Sequence, residues 1–83
     1  MKFNSNKERR AYWHQMNEEQ TKEEIDAALT TLKEDTARVI TLHYRDGFSL
    51  PEIITIMEKS GTIIRNHHNR GIFQLHRYFK GQE

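Results

Sequence analysis

The sequence predicts an all-α protein: a compact bundle of four to five helices containing a helix-turn-helix. Three observations point there. Apolar residues recur at steps of three and four along most of the chain, and no stretch alternates as a strand does. Helix starts are signalled by two capping boxes, Thr21 with Glu24 and Ser49 with Glu52, and by Ser60 ahead of Gly61. Helix stops are signalled by Asp46-Gly47 and by Gly81. Eighty-three residues support one globular unit. Within it, 1–20 form a basic N-terminal segment with a helix, and 21–83 form the helix-turn-helix domain.

Taken in order, residues 1–5 are expected to be loose. A first helix runs from Asn6 to about Met16, with Ala11, Tyr12, Trp13 and Met16 as its greasier side. Trp13 is read as a core residue, although Tyr12, Trp13 and Met16 together also form a candidate partner-binding patch. Thr21 opens a second helix to about Leu32, with Ile25, Ala28, Leu29 and Leu32 as its stripe. Asp35 or Thr36 caps a third helix to about Tyr44, which turns Ala37, Val39, Ile40, His43 and Tyr44 towards the core. Ser49 opens a short fourth helix with Pro51 in its first turn, where a missing N–H does little harm. Ile53, Ile54, Ile56 and Met57 are its apolar side. A last helix begins near Gly61 and runs to about Phe79. It directs Ile64, Gly71, Leu75 and Phe79 inwards, and Tyr44, Phe48 and Phe73 are also assigned to the core.

Composition excludes several functions. The chain has no cysteine, so disulfides and thiolate metal sites are absent. It has no apolar run long enough to cross a membrane and no apolar stretch of a signal peptide near its start, so the expected location is the cytoplasm. Net charge is only +1, but the charge is unevenly spread. Residues 1–16 carry four bases and one acid, 17–35 carry two bases and seven acids, 36–60 carry three of each, and 61–83 carry four bases and one acid. Such a split steers one face towards phosphate and turns another away. No nucleophile–base pair, carboxylate dyad or glycine-rich phosphate loop is evident, so the chain does not read as an enzyme and no cofactor is expected. His67 and His68 point to different sides of a helix. His68 and His76 roughly align but lack a third ligand, so no metal site is expected.

The most specific stretch is 49–71, SLPEIITIMEKSGTIIRNHHNRG. Its second helix sets Thr62, Arg65, Asn66 and Asn69, with Arg70 beside them, on one side. These groups suit phosphates and base edges better than a core. Over 29–77 the chain resembles region 4 of bacterial sigma-70 factors and, more loosely, the LuxR-type helix-turn-helix. The residues that carry this are Ala28-Leu29-x-x-Leu32, the run VITLHYRDGFSLPEI from Val39 to Ile53, and Ser60 onwards to Arg70. Four positions depart from the family pattern. Ile54 stands for an alanine, Glu58 for the glycine of the turn, Ile63 for a threonine that meets phosphate, and His68 for an apolar core residue.

The resemblance implies a free-standing region 4-like regulator of bacterial or phage type, bound to double-stranded DNA, with the helix at about 61–79 in the major groove. Arg65, Asn66, Asn69 and Arg70 would meet base edges. Thr62 and Ser60 would hold a phosphate at the helix start, and Lys59, Arg38 and His67 would touch the backbone. Arg65→Ala should then weaken specific binding, whereas Glu52→Gln should affect mainly stability. A single small reader binds weakly, so a homodimer through the N-terminal helix, or docking on the RNA polymerase β-flap, would add affinity. The alternative is a protein-interaction module that binds polymerase or a sigma-regulating partner without reading DNA.

Overall fold

The structure, a computed structural model, describes residues 5–81. The described residues form five α-helices and no strand: α1 (Asn6–Glu19), α2 (Lys22–Leu29), α3 (Glu34–Ile40), α4 (Leu50–Met57) and α5 (Gly61–Lys80). α3 continues into a wider π-helical turn, Thr41–Arg45. α5 is the longest, at 20 residues, and every other helix packs on or beside it.

Local chemistry sets most of the boundaries. Ser5, at the end of the segment expected to be loose, caps α1 by accepting the Glu8 amide; the rest of that segment lies outside the described residues. Thr21 caps α2 through the Glu24 amide. α2 stops at Leu29, short of the expected Leu32. The hydroxyls of Thr30 and Thr31 donate back to the carbonyls of Ala27 and Ala28 at 2.6 Å each, and this competes with further helix. α3 starts at Glu34, with Lys33 in the cap position and no side-chain cap. Neither Asp35 nor Thr36 serves as the expected cap, because both are engaged elsewhere. The Asp35 carboxylate faces Lys59 Nζ at 3.6 Å, and the Thr36 hydroxyl bonds His67 Nδ1 at 2.9 Å.

Gly47 takes φ 81 and Glu58 takes φ 55, both in the left-handed region. The first is easy for glycine. The second places a glutamate where only glycine escapes a steric penalty. Between them, α4 begins with a complete capping box: Ser49 Oγ accepts the Glu52 amide, and the Glu52 carboxylate accepts the Ser49 amide at 3.1 Å. The amide held there draws the Glu52 carboxyl below its ordinary range, helped by the Ser49 hydroxyl.

The core forms two clusters joined through α3. One holds Trp13, Met16, Ile25, Ala28, Leu29, Ile40, Ile72 and Leu75. The other, smaller, holds Val39, Ile53 and Ile64. Adjacent residues of α3, Val39 and Ile40, thus serve different clusters. α5 comes unusually close to α3 at Gly71, where a Cβ would sit 2.6 Å from Ile40 Cγ1 and 3.1 Å from Thr36 Cγ2. A side chain there would force the helices apart.

Some apolar residues do not lie where periodicity puts them. Ala11 is exposed, because α1 turns Trp13 and Met16 inwards and residue 11 falls on the far side. Ile56 is 40% exposed, since Ile53 takes the inner position on α4. Phe73 is 41% exposed, because its neighbour Ile72 occupies the buried stripe. Tyr44, Phe48 and Phe79 are partly buried against the two clusters, as expected. Trp13 is buried and stacks on Tyr44 with ring centres 4.8 Å apart, so it is spent inside the bundle.

Candidate nucleic-acid interface

α4 and α5 are joined by residues 58–60 alone. So short a connection requires a sharp reversal, and Glu58 supplies it by adopting the left-handed conformation as its amide bonds the Ile54 carbonyl. Ser60 then caps α5 by accepting the Ile63 amide at 3.2 Å. The cap leaves the Gly61 and Thr62 amides outside the helix's own ladder.

From this start α5 divides lengthwise. Ile64, His68, Gly71, Ile72 and Leu75 are buried. Thr62, Arg65, Asn66, Asn69 and Arg70 are all exposed, so these five predicted residues do share the outer side. α5 carries Arg65, Arg70, Arg77 and Lys80 and no acidic residue. Arg65 folds back over the first turn: a Cβ at Gly61 would meet its Nη1 at 3.2 Å. A guanidinium therefore sits beside the free amides of the helix start, where the helix dipole also favours an anion.

The remaining predicted residues are placed differently. Ser60 is exposed, but its hydroxyl is used in the cap. Lys59 is engaged by Asp35 across the bundle. Arg38 is exposed on α3, away from the α5 sequence that carries the others. His67 is half-buried in the seam between α3 and α5, with Nδ1 fixed by Thr36. Two residues on the outer side were missed from the sequence. They are Phe73, assigned to the core, and Arg77, whose guanidinium carbon lies 6.0 Å from the centre of the Phe73 ring. The available signal was spacing: 62, 66, 69, 73 and 77 continue one line of steps of three and four.

Behind this surface lies a buried polar cluster. His68, 1% exposed, is hydrogen-bonded through Nε2 to Tyr44 Oη at 2.6 Å, and its Nδ1 has no partner. The His43 ring lies 5.1 Å from it. Burial, the nearby His43, and then Arg9 and Arg10 push the His68 pKa down to about 4. Burial raises Tyr44 to about 12, against the opposing pull of Arg10 and Arg9. Both rings are therefore uncharged at neutral pH. Among the described residues, no group of three histidine or acidic side chains is arranged to hold a metal. No described helix is long and apolar enough to cross a membrane.

Comparison with protein-family models, with curated proteins and with solved structures finds no match to this chain. The chemistry of its surfaces is what bears on function, and α5 has the most distinctive of them.

Proposed function

We propose that this protein is a double-stranded DNA-binding transcriptional regulator of the kind its resemblance to sigma-70 region 4 implies, with the outer side of α5 in the major groove. One observation carries this reading. The longest helix presents Thr62, Arg65, Asn66, Asn69, Arg70 and Arg77 outwards and has no acid over 20 residues. None of these side chains is buried in the core, whereas phosphates and base edges match each of them. No acid lies on α5 itself, so the helix that would enter the groove adds no repulsion of its own towards a polyanion.

The test is an NMR titration of labelled protein with mixed-sequence duplex DNA. Shifts should concentrate on 60–70 and on Phe73 and Arg77, and should reverse as salt rises. With Arg65, Arg70, Arg77 and Lys80 engaged, the logarithm of affinity should fall against the logarithm of salt with a slope of about −3 to −4. Absence of shifts on α5 at low salt, together with binding to RNA polymerase subunits, would replace this reading with that of a protein-interaction module.

A further inference from the structure

Thr62, Asn66, Asn69, Phe73 and Arg77 follow one another along α5 in steps of four, three, four and four, so they form a single outer ridge. Arg65 and Arg70 leave this ridge on opposite sides, by roughly 80° and 60° at about 100° per residue. A helix lying ridge-first in the major groove puts the ridge over the base edges and its flanks towards the phosphates of the two walls. Arg65 already suits a wall, with its guanidinium beside the free amides of the helix start. Thr62 sits in the first turn of the helix and Arg77 lies over the Phe73 ring, so Asn66, Asn69 and Phe73 are the ridge residues set over the floor.

Their chemistries agree. An asparagine amide pairs bidentately with N6 and N7 of adenine, and a phenyl ring packs against the C5 methyl of thymine. Phe73 is 41% exposed within a cationic surface, and a methyl group would take that exposed part of the ring out of water. The Arg77 guanidinium lies over its ring and restrains the direction it faces. Phe73 is seven residues beyond Asn66, about 10 Å along the helix and so about three base pairs away.

We infer that α5 selects A·T pairs from the major groove, with Asn66 and Asn69 reading adenine and Phe73 reading a thymine methyl. This rests on the DNA reading above.

The test compares three duplexes of equal length by fluorescence anisotropy at low salt: alternating poly(dA-dT), poly(dA-dU) and poly(dG-dC). Uracil removes only the methyl group. The protein should bind poly(dA-dT) at least about tenfold tighter than poly(dG-dC). It should bind poly(dA-dT) about threefold to fourfold tighter than poly(dA-dU), as loss of one buried methyl dictates. Phe73→Ala should abolish the thymine–uracil difference and keep the preference over poly(dG-dC). Phe73→Leu should restore the difference, since it restores an apolar contact. Asn66→Ala combined with Asn69→Ala should bring poly(dA-dT) down towards poly(dG-dC). Each variant is checked for helix content by circular dichroism, and the outer position of these residues predicts no change. Equal, salt-sensitive binding to all three duplexes would overturn the inference and leave DNA binding standing. A preference for A·T that ignores uracil would remove Phe73 from it. No binding to any duplex at low salt would overturn the DNA reading itself.

Discussion

On its inner side α5 presents Ile64, His68, Gly71, Ile72 and Leu75, and on its outer side Thr62, Arg65, Asn66, Asn69, Arg70 and Phe73. Both sets belong to one helix with one backbone geometry, yet different forces account for them. The inner set is explained by packing: each residue fills space between α5 and the other helices, or, at Gly71, leaves space so that Ile40 can approach. The outer set belongs to neither core cluster. An asparagine is a middling helix former and an exposed phenylalanine is exposed at a cost, so folding alone does not call for them. Residues that the fold does not need are where a function is best sought.

That contrast can be broken most easily from the inner side. Leu75→Ala should cost about 2–5 kcal/mol, because Leu75 is fully buried in the larger cluster and its removal leaves a cavity. Urea unfolding measures this; a loss under about 1 kcal/mol would mean that the cluster is not packed as described.

His68 gives the next largest effect, and it depends on pH. Its folded pKa of about 4 lies below the ordinary value of 6.5. Between these values the unfolded chain binds a proton that the folded one does not. Stability is therefore fully present above about pH 6.5 and declines as pH falls towards 4, by on the order of 3 kcal/mol. Unfolding free energies measured across this window should show the decline, and His68→Phe should flatten it. An unchanged slope in that variant would assign the effect to other groups.

Gly71→Ala tests the close approach directly. Alanine gains about 1 kcal/mol of helix propensity but must push against Ile40, a strain of roughly 1–3 kcal/mol, so a net loss of about 1 kcal/mol is expected. Net stabilisation, read from the denaturation midpoint, would show that α3 yields freely. Glu58→Gly should act in the opposite sense. It removes a left-handed glutamate at φ 55 and should raise stability by up to about 1 kcal/mol. A lower melting temperature in Glu58→Gly would show that the turn gains more from the glutamate than it loses.

The smallest effect on stability belongs to the outer side. Asn69→Ala should change unfolding free energy by no more than about 0.5 kcal/mol. If it instead destabilises the protein by several times that amount, the division of α5 into a packed side and a free side fails.

The helix starts were legible because capping is local. Ser49, Thr21 and Ser60 cap the helices their own sequence neighbourhoods announce. The left-handed turn at Glu58 was legible from the resemblance, which places a glycine there. The outer residues 62, 65, 66, 69 and 70 were legible because helical periodicity needs no knowledge of the rest of the chain. The partners of Lys59 and His67 were not legible, since Asp35 and Thr36 lie 24 and 31 positions away in sequence. The missed cap of α3 has the same origin, because those partnerships take both candidate cap residues elsewhere.

By itself, then, the sequence determined the helices, their order, most of their caps and the polar line along α5, all of which depend on residues within a turn or two of one another. The tertiary structure alone decided which of two adjacent apolar residues, Ile72 or Phe73, went inside. It also brought His68 against Tyr44 and His43, and it set Gly71 against Ile40. Periodicity fixes the spacing of residues around a helix but not the rotation of the helix against its neighbours. That rotation is chosen by the whole bundle at once, through the contacts that best fill its core.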